Sequence, residues 1–386
     1  MKRLHTIDIM RGIVMCLMAL DHVRDLMHVS SVTANPLDLK TTTTALFITR
    51  WVTHLCAPVF VFLSGSSAWL FLQRHGAVET ARYLRTRGIW LIAVDLILVT
   101  LILSFDLRYR MILFEVVGAI GFGFLILSLL FRKSLRTIAW IGGSIAVLHG
   151  LLALLPSSIA PALRAVLSPF FTISPIPLGV DRIFLISYPP IPWLGILLLG
   201  YAAGPLFTLE EHVRSRRFLR MGVAALTTFI ILRAINVYGD QTPWTPQEYA
   251  IKTLLSFVNI SKYPPSLLFT VLWLGMLFLM LFIIDRSKFR WLAFFEVYGR
   301  VPLFYFLGHL LLIHLMTLGM LFLQGFHAHD LDFSALRFGR PQAPSGVGLG
   351  EIFLLLLTVI LAMYPACKAF GAYKAAHPEK TWLRYF

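Results

Sequence analysis

The sequence predicts an all-α fold, a polytopic membrane helix bundle of about ten transmembrane helices. Hydrophobic residues make up 58% of the 386 and charged residues only 14%, against about 45–50% and about 25% in a soluble domain. The mean hydropathy is +0.78, an excess that one globular core cannot hide. The apolar residues also fall into runs of about 20, the length at which a helix spans a bilayer. Between the runs, segments rich and poor in Lys and Arg alternate, which orients the bundle.

The runs place helices at about 7–28, 46–72, 87–104, 111–131, 137–155, 189–207, 217–237, 265–284, 299–323 and 350–371. Three longer connections remain, at 156–188, 238–264 and 324–349. With the N-terminus inside, the inner segments hold 21 of the 34 Lys and Arg residues and the outer segments 10, while Arg11, Arg24 and Arg233 lie within helices. Basic residues accumulate on the cytoplasmic side of membrane helices. Both termini are therefore expected in the cytoplasm and all three long connections on the outer face. Those connections are rich in Pro, Ser, Thr and aromatic residues, as in Ser168–Pro177 and Thr242–Pro246, and read as rims or lids over the bundle. No repeat of fixed period stands out, so a single domain over 1–386 is expected.

Composition also excludes several classes. The net charge of +15 would suggest nucleic acid in a soluble protein, but loop orientation accounts for it here and no nucleic-acid partner is expected. Cys16, Cys56 and Cys367 all lie in apolar stretches with no CxxC spacing, which argues against disulfides and zinc. The apolar stretch from Ile7 carries Asp21, His22, Arg24 and Asp25 without a small-residue cleavage site, so it reads as a first span rather than a cleaved leader. Walker, GxGxxG, GxSxG and HExxH patterns are missing from plausible settings.

An ionisable group at bilayer depth costs about 2.5–3.5 kcal/mol on insertion scales unless it is paired or faces a cavity. Polar residues inside the helices are therefore the functional candidates. At the end of the first helix, Asp21, Arg24, Asp25 and His28 share one face at i, i+3, i+4 and i+7, and His22 reaches Asp25 at i+3. An acid beside a histidine can hold its tautomer and raise its basicity. The same spacing equally suits an interfacial ion-pair cap with Arg24 bridging two carboxylates. A metal site has no third strong ligand at a fixed spacing, so none is expected.

Arg50 and His54 open the second helix, and Pro58 is expected to kink it. His54 would face the same leaflet as the first-helix cluster. The ninth helix runs from Arg300 and Pro302 to His309 and His314. Arg300 stands where free backbone N–H groups favour an anion, and Arg11 and Arg87 fall on the same inner side. Such a ring suits a phosphate or pyrophosphate, although positive-inside anchoring alone would also produce it. Asp95, Glu115, His149 and Arg233 complete the intramembrane set, and Asp95 at mid-helix requires a partner.

Arg3–Gly12 followed by Leu17–His22, then Pro58–Ser67, Tyr188–Gly195, Lys262–Ser266 and Gly299–Phe304, resemble the heparan-alpha-glucosaminide N-acetyltransferase catalytic-domain family, in its bacterial branch. The resemblance implies an acyltransferase in the bacterial inner membrane. Acetyl-CoA would donate from the cytoplasm to an amino or hydroxyl group of a glycan or amino sugar on the far side. It implies a catalytic histidine near the end of the first helix, His28 or His22, with Asp21, Asp25 and His54 beside it. Arg11, Arg87 and Arg300 would take the CoA phosphates, and Arg24, Arg50, Trp193 and His309 would face the acceptor. Assembly with further copies of the chain is compatible with this reading. From a different class, Asp95, Glu115 and His149 suggest a proton relay in a transporter or flippase, though no inverted repeat accompanies them.

Overall fold

In the computed structural model, residues 5–154, 161–334 and 337–386 are described. Lys2 and Arg3, counted above among the inner charges, lie outside them, as do 155 at the end of the fifth expected helix and 156–160 of the first long connection. The first helix, α1 (His5–Met27), is followed by α2 (Thr44–Thr53) and by α3 (Cys56–Val94), which runs through a π-turn (Asp95–Val99) into α4 (Thr100–Ser104). After strand β1 (Met111–Phe114) come α5 (Val116–Leu130), α6 (Leu135–Leu148) and α7 (Pro161–Phe171), then β2 (Ser174–Pro177) and β3 (Ile183–Ile186). The remaining helices are α8 (Pro190–Ala202), α9 (Glu211–Ile235), α10 (Ala250–Val258), α11 (Leu267–Arg286), α12 (Leu292–Gly299), α13 (Pro302–Leu323) and α14 (Leu349–Ala376).

Among the described residues, six segments are long and apolar enough to cross a membrane: Thr44–Ser104, Pro190–Thr208, Glu211–Ile235, Leu267–Arg286, Pro302–Leu323 and Leu349–Ala376. Val116–Leu130 and Leu135–Leu151 are shorter apolar helices. The 23 residues of α1 have the length but carry Asp8, Arg11, Asp21, Arg24 and Asp25.

Local signals start the helices where polar caps or prolines stand. The Thr43, Ser134 and Ser266 hydroxyls accept from the backbone N–H groups of Leu46, Thr137 and Phe269 and so cap α2, α6 and α11. Pro190 and Pro302 occupy the first turns of α8 and α13, where no backbone N–H is needed.

Three boundaries differ from the expectation. The second helix breaks at His54–Leu55, ahead of Pro58, because Pro58 sits in the first turn of α3 and needs no kink there. The basic stretch 73–87 continues as helix through Ala77–Arg87, interrupted only at Gly76 (φ +75°). Residues 111–114 form β1, which pairs in parallel with β3, while β2 pairs antiparallel to β3. The connections 156–188 and 238–264 are thus partly ordered as α7, the small sheet and α10.

Small residues set the helix spacing. A Cβ on Gly12 would stand 1.8 Å from the Phe295 carbonyl oxygen, and one on Gly299 1.8 Å from that of Asp8. The α1–α12 crossing therefore brings backbone against backbone, the packing that small residues permit between membrane helices. Gly65 and Gly200 do the same for α3 and α8, at 2.0 Å from the carbonyl oxygens of Leu197 and Phe62.

The two ends of α1 face different surroundings. At its start, Thr6 and Arg214 hold Asp285 at 2.6 Å each, and His5 meets Glu296 at 2.8 Å. Past its end, His28 bridges Val347, and buried Arg340 donates to the Leu26 and His28 carbonyls and to Ser31 and Ser345. Lys252 and Asn259 bind the 29–43 segment through the Leu39 and Leu37 carbonyls. The loop after α4 is pinned by Asp106. Burial opposes its charge, but hydrogen bonds from Arg110 and from the Arg108 and Arg110 backbone N–H groups outweigh that and hold its pKa below the usual carboxylate range.

Candidate functional site

The start of α1 opens onto a cavity of about 400 Å³. Arg11, Arg87 and Arg300, from three separate helical regions, all line it, and Arg74, Lys374 and Arg384 join them. Among the described residues, Asp8 is the one carboxylate side chain in that lining. Arg11 donates to Ser67 Oγ at 2.5 Å, which directs it along α3. Arg300, with its side chain nearly half exposed, is steadied by Glu296 at 2.6 Å. Arg87 donates to the Arg384 carbonyl at 3.2 Å, bringing the C-terminal turn to the rim.

Inward from these cations the walls become apolar, with Met15, Met18, Phe124, Leu303 and Phe306. Met18 lies one turn before His22 on α1, and Phe306 one turn before His309 on α13. The rings of His22 and His309 stand 5.3 Å apart. The cavity thus climbs from arginines to within a turn of a histidine pair.

Beside that pair is a closed charge network. Arg24 bridges Asp21 and Asp25, the latter at 2.7 Å. Arg50 reaches Asp21 at 2.7 Å and Asp25 at 3.1 Å, and Thr53 donates to Asp21 at 2.7 Å. The carboxylates therefore bond arginines and threonine, as in the ion-pair cap, and among the described residues neither bonds an imidazole. Arg24 is 1% exposed, a depth that only such pairing makes tolerable.

His54, also buried, packs against Phe269 and Trp273 at 5.7 and 6.3 Å. Trp193 is fully buried and contacts Tyr188 at 5.1 Å. Among the described residues, His54 Nδ1, Trp193 Nε1 and Trp273 Nε1 are buried without a hydrogen-bond partner. His28, by contrast, is turned to the loop after α1, where its Nδ1 meets the Ser30 hydroxyl at 2.9 Å and the Ser30 N–H at 3.2 Å. Asp95 finds its partner in the backbone N–H of Glu115, at 2.6 Å.

Several residues of this region were not singled out from the sequence. Lys262 is buried, with Nζ 4.9 Å from the Tyr263 ring and 5.8 Å from the Tyr188 ring, and the two tyrosine hydroxyls are 3.2 Å apart. Their signal was membership of the Tyr188–Gly195 and Lys262–Ser266 motifs, without a spacing that separated side chains from turn chemistry. Arg74, Lys374 and Arg384 read only as loop charges, since nothing local shows that they meet across the chain.

A helical membrane protein with a cationic cavity leading to buried histidines has the layout of an enzyme or carrier for an anionic substrate with an apolar arm. The family model for heparan-alpha-glucosaminide N-acetyltransferase, catalytic, matches residues 3–242, and the chain belongs to that family, whose members are acetyltransferases of the transferase class. The matched stretch runs from α1 through α9, so Arg300 and His309 lie beyond it. No curated protein matches the chain significantly.

Proposed function

We propose that the protein is a transmembrane acetyltransferase that takes the acetyl group from acetyl-CoA at the arginine-lined cavity and passes it to an amino or hydroxyl group of a glycan or amino sugar at the opposite face. The observation that carries this is the convergence of Arg11, Arg87 and Arg300 on one cavity that ends a turn from His22 and His309. Guanidinium groups suit the phosphates of the donor, and the Met and Phe walls suit its pantetheine arm. The excess of inner Lys and Arg supports a cytoplasmic cavity, cytoplasmic termini and about ten spans in a bacterial inner membrane.

In the reaction, the acceptor nitrogen or oxygen attacks the thioester carbonyl carbon. The C–S bond breaks, and the acceptor proton passes through a histidine base to the sulfur. A positioned base is worth about 10²–10⁴-fold, and holding the two substrates in line contributes more. His22, His54 and His309 are the bases near the cavity's inner end. Arg24 and Arg50, held by Asp21 and Asp25, shape the wall on the acceptor side, and buried Trp193, packed against Tyr188, backs it.

Acetyl transfer from acetyl-CoA to a panel of amino sugars, measured with protein in nanodiscs, tests the reading. Product formation is expected, with slow hydrolysis of acetyl-CoA when acceptor is omitted. If acetyl-CoA neither binds nor turns over, and a small solute instead shows counterflow that depends on Asp95, the protein is a transporter.

A further inference from the structure

We infer that the base in this transfer is His309, a residue of α13 outside the family match, and that the proton is taken by its Nε2. The inference rests on the acetyl-transfer reading and goes further by assigning one atom.

A base needs a lone pair that faces the reacting group and is not spent elsewhere. His309 is fully buried, and its Nδ1 lies 2.8 Å from the Tyr305 carbonyl oxygen, one turn earlier on the same helix. A carbonyl only accepts, so Nδ1 carries the hydrogen and Nε2 keeps the lone pair. Among the described residues Nε2 is buried and has no hydrogen-bond partner. An unpaired buried nitrogen is destabilising, a cost that a group used in the reaction offsets. The Tyr305 ring stacks on the imidazole at 4.8 Å and 15°, fixing its plane. Phe306, next to Tyr305, forms the cavity wall just below.

The other histidines lack this combination. The Ser30 N–H donates to His28 Nδ1, which occupies that lone pair and leaves the hydrogen on Nε2. His22 has no orienting carboxylate, because Asp21 and Asp25 bond to Arg24, Arg50 and Thr53. Among the described residues His54 Nδ1 is unpartnered, so it has no bond that selects the tautomer from that side. His149 Nδ1 does bond a carbonyl, that of Ile145 at 2.8 Å, but neither His149 nor Ile145 lines the cavity, whereas Phe306, one turn before His309, does.

The step balances without a further reactant. The acceptor N–H or O–H proton moves to His309 Nε2 as the new bond to the acetyl carbon forms. The C–S bond then breaks, and the same proton returns from Nε2 to the departing sulfur.

The test uses full-length protein in nanodiscs, with glucosamine and with water as acceptors for acetyl-CoA. His309→Gln is expected to bind acetyl-CoA as the wild type does while kcat falls by about 10²–10⁴-fold. In parallel, ¹⁵N histidine NMR of the wild type should show a signal from a buried imidazole protonated at Nδ1 alone that is lost in His309→Gln, while the His149 signal of the same tautomer remains; this arm does not depend on the variant's activity. Turnover in His309→Gln within about tenfold of the wild type, or a His309 protonated at Nε2, overturns the assignment. Failure of the wild type to bind acetyl-CoA overturns the transfer reading and this step with it.

Discussion

The two ends of α1 arrange their charges to opposite purpose. Around Asp21 the charges balance: two arginines and a threonine hydrogen-bond two carboxylates, with Arg24 and Asp21 buried and Asp25 at the exposed edge. Around Arg11 the cations are in excess: among the described residues, six basic side chains line a cavity whose lining holds one side-chain carboxylate, Asp8, 3.8 Å from Arg11. A closed network fixes helix positions, since removing one member strands another without water. An excess of cations over carboxylates leaves a field for an anion. Charge alone therefore does not mark a site; the balance of charge around it does.

The largest expected effect lies in the closed network. Arg50→Ala leaves Asp21 with one arginine and one hydroxyl, a loss of about 3–5 kcal/mol if the site behaves as a buried pair. Thermal unfolding in detergent should show a large fall for this variant and almost none for Arg300→Ala, whose side chain is nearly half exposed. Equal falls would erase the distinction between the two ends.

The next effect is functional. A hydrogen bond to a charged group contributes about 1.5–3 kcal/mol, so Arg11→Ala or Arg300→Ala should raise KM for acetyl-CoA by about 10- to 100-fold with kcat little changed. Added salt should weaken the wild type toward these variants, because the cavity is open to screening. Insensitivity of KM to salt would show that the cations do not meet the donor's phosphates.

The smallest is a control away from both ends. Asp106 has its pKa lowered in the folded state, so its contribution is fully present above the unfolded value of about 3.9 and is lost as pH falls through the folded value. The gap in unfolding temperature between wild type and Asp106→Asn should stay constant from about pH 7 to 5 and close below about pH 4. A gap that already shrinks near neutrality would mean that a histidine pins this loop.

Much of this contrast was legible in the sequence, for a physical reason. Helices concentrate information locally, so run length set the apolar segments and the i, i+3, i+4 spacing placed Asp21, Arg24 and Asp25 on one face. Arg11, Arg87 and Arg300 could be grouped because topology alone puts them on one side. What lay hidden depends on contacts far apart in the chain. The His22–His309 pair spans α1 and α13, and the Gly12–Gly299 contact that sets the helix spacing joins α1 to α12. Residues 111–114 passed for helix because a short apolar run has no period to distinguish it from a strand. The role of His28 turned on a backbone N–H two residues away, which spacing does not reveal.

Binding of acetyl-CoA to three forms in nanodiscs tests the central claim most directly: wild type, the Arg11→Ala/Arg300→Ala pair, and the His22→Ala/His309→Gln pair. The arginine variant should lose affinity by about 100-fold or more, while the histidine variant binds as the wild type does and fails only in transfer. Equal loss in both variants, or a wild type that does not bind, would contradict a donor cavity separate from the reacting histidines.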